Sequence, residues 1–271
     1  MAEAKGKTKN LLLAAAREVP GNTRLREAKQ SVLGETDLDD LEKIVSSNPA
    51  LFSDPDAWRR AMIQAEWAVC RVEKPEGQPL GTAFLVARDL VLINHQVAFD
   101  AHATFRSHPE SVRFRFGFRE PADGAPEASR ICRLASNWDV RSSPFGQLDY
   151  AVLRLDHPAG EDPVGDFKDA PRRGWLKLGK ADVRQSQGLF ILQHPGGKTL
   201  KMANGGVRQV SGAWVDYEVN TEPGSSGSPV FNNRWELVAL HSRAGTGQFN
   251  KGVAISAIVD DLPDGVKALL M

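Results

Sequence analysis

From about residue 68 onward, apolar positions alternate with polar ones in short runs separated by Gly, Pro, Asn and Asp, the period of half-buried β-strands. The runs at 69–72, 81–87, 90–94, 111–118, 130–134 and 149–155 predict a first set of six strands. In 111–118 the phenylalanines would face a core and the arginines would face out. A connection rich in Pro and Gly near 158–174 separates these from a second set at 189–192, 198–202, 206–210, 213–219, 228–231, 237–241 and 252–255. A final helix is predicted near 263–270. Strands this short and evenly spaced predict a sandwich or a pair of barrels.

Before residue 65 the apolar period is that of helices. Helices are predicted at 8–18, 23–33 and 36–45, cut by Pro20-Gly21-Asn22 and Gly34. A fourth, at 56–66, is capped by Ser53-Asp54-Pro55. The chain therefore divides into a helical segment, 1–64, and a β domain, 65–271. Residues 1–64 read either as a helical extension packed on the β domain or as a regulatory and adaptor module that takes a protein partner. Trp58 and Trp67 are the expected docking anchors, because a short helix cannot cover so large a side chain by itself.

Composition changes this picture little. The 271 residues are 41% hydrophobic and 25% charged, with a formal net charge of zero, so no global field attracts nucleic acid or a membrane. The run Leu11–Ala16 is too short to span a bilayer. Cys70 and Cys132 are read as buried free thiols, which with the rest points to a cytoplasmic protein. No ligand cluster or phosphate-binding loop implies a metal or organic cofactor.

The chemistry centres on Thr221-Glu222-Pro223-Gly224-Ser225-Ser226-Gly227-Ser228-Pro229. Glycines on both sides of one serine let the backbone turn sharply and expose the Ser226 hydroxyl. The same turn aims the N–H groups of Gly224 and Ser226 at one point, as an oxyanion hole requires. The nucleophile elbow of α/β-hydrolases fits less well, since it wants a second Gly where Ser228 stands and a helix where the sequence continues as strand.

The motif resembles the nucleophile loop of trypsin-like serine proteases with the chymotrypsin fold. Leu148-Asp149-Tyr150-Ala151-Val152 resembles that family's aspartate segment, and Leu90-Val91-Leu92-Ile93-Asn94-His95-Gln96-Val97 its histidine segment. The phrases Gln193-His194-Pro195-Gly196-Gly197 and Asn250-Lys251-Gly252-Val253-Ala254 are similar to intracellular bacterial peptidases that carry small adaptor segments in conflict and defence operons. The resemblance implies a mostly β protein, a chymotrypsin-like double β-barrel preceded by a small helical segment. It also implies a peptide or protein substrate and an acyl-Ser226 intermediate. Ser226, Asp149 and the position of Gln96 would form the catalytic triad, and Gly224 and Ser226 the oxyanion hole.

The family's histidine is replaced here by Gln96, with His95 one place early. Glutamine cannot carry a proton at physiological pH, so the protein as written is expected to be inactive. The change is either introduced, or native to a pseudoprotease that binds peptides; a one-residue shift that makes His95 the base is the third reading. Neighbouring residues of an extended chain point to opposite sides, which argues against the shift. His102, His108 and His157 read as solvated loop residues and His194 as structural. Thr221 and His241, with Ser242, match the spacing of the pocket by which glutamyl endopeptidases and viral 3C-type proteases select Glu or Gln before the cut.

Overall fold

The computed structural model describes residues 53–100, 105–120, 129–165 and 167–270. The three helices expected before residue 46 lie outside the described residues, as does His102.

The first described element, α1 (Pro55–Ala68), begins where the sequence supplies a cap: Asp54 Oδ1 accepts the Ala57 N–H at 2.7 Å, and Pro55 occupies the first turn. It runs through position 64/65 without a break, and Ser53–Met271 forms one compact unit. Trp58 packs edge-on against Phe190 and Trp235, with ring centroids 5.7 and 5.2 Å away. The helix is thereby fixed to strands more than a hundred residues downstream.

Seven strands follow: β1 (Val69–Glu73), β2 (Pro79–Leu85), β3 (Leu90–Ile93), β4 (Arg113–Phe116), β5 (Arg130–Cys132), β6 (Leu134–Ser143) and β7 (Tyr150–Leu155). They form one antiparallel sheet in the order β5-β4-β1-β2-β3-β7-β6. It curls round a core of Cys70, Leu85, Ile93, Phe105, Phe114, Phe116 and Leu153. Both cysteines are buried and free, and burial pushes the Cys132 thiol up to about 11.

Six strands make the second unit: β8 (Gly188–Gln193), β9 (Lys201–Ser211), β10 (Trp214–Tyr217), β11 (Pro229–Asn232), β12 (Leu237–Ala244) and β13 (Asn250–Ala254). They close into a barrel, β10-β13-β12-β11-β8-β9, filled by Ile191, Val215, Tyr217, Val230 and Ala239. A third cluster, with Phe84, Leu92, Tyr150, Leu192, Phe231 and Leu240, joins the sheet to the barrel. The chain ends in α3 (Ile255–Asp261) and α4 (Asp264–Lys267), where one helix over 263–270 had been expected.

Two further expectations need correcting. Strand β6 was absent from the pattern because it is a mostly polar edge strand, with register shifts on either side of Asp139 that break any alternation. The arginines of β4 do not face open solvent. Arg115 is paired with Glu73, whose side chain is fully buried, through Nε at 2.6 Å. Arg71 donates to the same carboxylate through Nε and Nη2 at 3.0 and 2.7 Å, and the Gly77 N–H at 2.6 Å. Burial works against the charged form, but these donors hold the Glu73 carboxyl down at about 2.

Candidate active site

The nucleophile loop connects β10 to β11 between the two β units. Gly227 adopts φ +89°, and a Cβ there would sit 2.0 Å from the Thr82 carbonyl. Only glycine fits this turn. Strand β2 clasps the loop from the other unit: the Thr82 N–H donates to Ser226 O at 2.9 Å, and the buried Thr82 hydroxyl donates to Gly224 O at 2.8 Å. Thr82 therefore positions the serine across the cleft.

Gly224, at φ +97°, sits against the turn Pro195–Gly197. The Pro223 carbonyl accepts the Gly196 N–H at 2.7 Å. A peptide unit is planar and trans, so anchoring that carbonyl aims the Gly224 N–H the opposite way. Among the described residues neither the Gly224 nor the Ser226 N–H donates to a protein acceptor. The turn is itself tied to β1 through Arg71 Nη1, which donates to Gly197 O at 2.7 Å. His194, beside it, is structural: its Nδ1–H donates to Lys198 O at 2.9 Å, and burial pulls its pKa down to about 4.

Asp149 precedes β7 in a left-handed conformation, φ 44°, which Asp tolerates at a cost of about 1–3 kcal/mol. The conformation is fixed by its contacts. Asn94 Nδ2 donates to its carbonyl at 3.1 Å, and Ser242 Oγ donates to Oδ2 at 2.6 Å. The Gln96 N–H donates to Oδ1 at 3.0 Å and Gln96 Nε2 to Oδ2 at 2.9 Å. Burial is the largest influence on this carboxyl and leaves its pKa above the usual value, against the opposing pull of those donors.

Residues 95 and 96 are not in extended chain as expected. They open a short helix, α2 (His95–Phe99), whose first-turn N–H groups lack helical partners, and one of them serves Asp149. Gln96 faces the acid. His95 turns away, its ring 4.8 Å from Phe99 and its Nδ1 4.0 Å from Asp100. Gln96 Nε2 also donates to Ser242 O at 2.8 Å, and Ser226 Oγ donates to that same carbonyl at 3.3 Å. Ser226, Asp149, Gln96 and Ser242 thus converge.

His241 lies in the second barrel on β12, buried, with Nδ1 2.6 Å from the Tyr217 hydroxyl. Burial lowers its pKa to about 4 and holds the Tyr217 phenol well above its ordinary value. A phenol that donates to Nδ1 would leave the imidazole proton on Nε2. Gly252 makes room for this pair, since a Cβ there would meet the Tyr217 hydroxyl at 3.2 Å. Thr221 is half-buried, just ahead of the nucleophile loop. Of the other histidines, His108 is exposed beside Glu110, and His157 is half-buried with Nε2 2.6 Å from Asp162 Oδ1. Two cavities, of about 680 and 750 Å³, open elsewhere and touch none of Ser226, Asp149 or Gln96. No helix of the described residues is long and apolar enough to cross a membrane.

Thr82, Glu73, Arg71 and Tyr217 were not singled out in the sequence. Only Gly252, a glycine inside an apolar strand, hinted at one of them.

With this geometry in hand, residues 81–240 match the family model described as a trypsin-like peptidase domain. The chain belongs to that family. An uncharacterised protein of Sinorhizobium fredii is 30% identical over 198 residues, 66% of this chain and 28% of that one. A glutamyl endopeptidase of Staphylococcus aureus is 24% identical over 199 residues, 69% of this chain and 49% of that protein. The chain thus spans half or less of these relatives. A solved Glu endopeptidase superposes with a TM-score of 0.55 at 17% identity, covering 76% of this chain and 92% of the other. This trypsin-like chain therefore has the chymotrypsin-like architecture, with its first β unit an open, curled sheet and its second a closed barrel.

Proposed function

We propose that this trypsin-like chain is a serine-endopeptidase scaffold that seats a peptide against Ser226 and, with Gln96 in place, does not cut it. One observation carries the reading. Gln96 Nε2 bridges Asp149 Oδ2 and Ser242 O, so a group without a titratable proton fills the place between acid and nucleophile. Ser226 Oγ then gives its hydrogen bond to a backbone carbonyl, which cannot take the proton. With histidine at position 96, Asp149 would orient the base, and the free Gly224 and Ser226 N–H groups would hold the oxyanion of an acyl transfer.

The proposed residue before the scissile bond is Gln or Glu, recognised by the Nε2–H of His241 and by Thr221. A neutral imidazole held by Tyr217 suits the amide of Gln, because its recognition needs a donor but no positive charge. The relatives named glutamyl endopeptidase point to Glu, so both side chains belong in one assay. A native pseudoprotease is the second reading, supported by the completeness with which Gln96 satisfies Asp149. A cytoplasmic role in bacterial defence, with a partner on residues 1–64, rests on sequence resemblance.

The test uses fluorescent peptides carrying Gln or Glu. The protein should bind them without turnover, and Gln96→His should cleave them in a manner abolished by Ser226→Ala. Turnover with Gln96 in place that is lost in Ser226→Ala would overturn the assignment of the base position.

A further inference from the structure

Pairing of β12 with β11 ends at Leu240, while its pairing with β13 continues to Ala244. Among the described residues no strand covers the other edge at 243–244, next to Ser242, whose carbonyl accepts from Ser226 Oγ and Gln96 Nε2. Such an edge accepts an extended peptide as an added strand. The side chain that marks this edge is Arg243. Its guanidinium is held between the Phe145 and Trp214 rings, 4.6 Å from each centroid. Its Nη1 is buried without a hydrogen-bond partner, and among the described residues no carboxylate pairs with it. Lys251, also near Trp214, is matched by Asp216 at 3.2 Å. Asp149 feels the charge of Arg243, but its oxygens are already taken by Gln96 and Ser242.

We propose that Arg243, walled by Phe145 and Trp214, is a subsite for an acidic side chain at the second or fourth residue ahead of the bond presented to Ser226. The inference rests on the protease reading above and extends it to a substrate class. A buried donor without an acceptor is costly, and a carboxylate is the acceptor whose two oxygens match the guanidinium fork. The aromatic walls fix the fork and exclude water from its faces, so little ordering remains when the acid arrives. Side chains of an extended peptide alternate between faces, which places the acid at the second or fourth residue rather than at both neighbours of the bond. Phe145 is 40% exposed and forms the outer wall that such a side chain would cover.

The experiment measures kcat and KM of the Gln96→His protein on peptides with a fixed Gln before the cut and Glu, Gln or Lys at each of the three preceding positions. Glu should exceed the Gln peptide about tenfold or more in kcat/KM at one position, mainly through KM. Arg243→Glu should reverse the order in favour of Lys, and the milder Arg243→Gln should flatten it. The ratio between peptides on one variant cancels any change that loss of Arg243 causes at Asp149. A uniform fall in kcat for all peptides, with the ratios unchanged, would overturn the subsite and leave Arg243 as a counter-charge to Asp149. Cleavage of no peptide by Gln96→His would overturn the protease reading itself, and the subsite with it.

Discussion

On the Ser226 side of the cleft two backbone donors stand free, whereas on the Asp149 side the donors are already engaged. Among the described residues the Gly224 and Ser226 N–H groups have no protein acceptor, and their loop is clamped by Thr82 and by the Gly196 N–H. Across the cleft, Gln96 and Ser242 saturate the Asp149 carboxylate. Electrostatic stabilisation and proton transfer are thus separable parts of this architecture. In the proposed reading Gln96 withholds the second and leaves the geometry of the first standing, because its amide gives Asp149 the hydrogen bond that an imidazole N–H would donate.

The sharpest way to break that comparison is to restore the base. In related catalytic machinery the loss of the histidine costs on the order of 10⁶ in rate. Gln96→His should therefore raise kcat by about 10⁴ or more over a baseline close to none, measured with a Gln-containing peptide. A gain of less than about tenfold would mean that the Ser226 side is not as complete as its geometry indicates.

The opposite change tests the other side. A Cβ at Gly224 would lie 2.7 Å from His194 O and 2.9 Å from Gly197 N, at a φ that disfavours any side chain. Gly224→Ala must turn the Pro223–Gly224 peptide and take its N–H out of the oxyanion hole. In the Gln96→His background kcat should fall by about 10²–10³, with KM changed far less. An unchanged kcat would remove Gly224 from the oxyanion hole.

Further from the chemistry, the Glu73 network supports the same peptide through Arg71 and Gly197 O. Its carboxyl is held at about 2, below its unfolded value of 4.5. The stability this contributes is fully present above pH 4.5 and is lost as pH falls towards 2. Glu73→Gln leaves two arginines facing a neutral group. It should cost about 3 kcal/mol in urea unfolding at pH 7, and the gap to the parent should shrink at pH 3. A constant gap would place the effect in packing.

How far these parts could be read in the sequence follows the range of their contacts. Ser226, its glycines and the Asp149 strand carry local signals: a turn that only glycine makes and an apolar run opened by an acid. The alternating period likewise fixed most strands of both β units. Thr82 and Glu73 carry none. Thr82 acts on Gly224, and Arg71 on Gly197, both over a hundred residues away, and nothing beside either residue announces the contact. Position 96 lies between these cases. Its place beside Asp149 was expected from the motif, but the argument for it assumed an extended chain. The geometry that decides it is a helical first turn, whose free N–H groups draw in Asp149.

The smallest effect concerns selection between Gln and Glu, which falls to residues on the Ser226 side alone. His241 is buried and neutral, with a pKa of about 4, and in the proposed pocket the Tyr217 phenol donates to Nδ1 and keeps the imidazole proton on Nε2. Its folded pKa is below the ordinary value of 6.5, so protonation inside the barrel is opposed across the whole range in which a free histidine titrates. The ratio of kcat/KM for a Gln peptide over its Glu counterpart should therefore stay flat from pH 6 to 8.5 in the Gln96→His protein. A cationic imidazole would instead make Glu gain steadily as pH falls through 7. Tyr217→Phe keeps the ring that fills the barrel and removes the donor to Nδ1. The proton is then free to move to Nδ1, which presents an acceptor to the substrate in place of a donor. The Gln preference should drop by about tenfold, the discrimination that one hydrogen bond supplies. Because the phenyl ring still packs among the same side chains, the loss should appear in KM for Gln while kcat on a peptide with Ala at that position stays the same. A preference that survives Tyr217→Phe would mean that Thr221, and not His241, does the selecting.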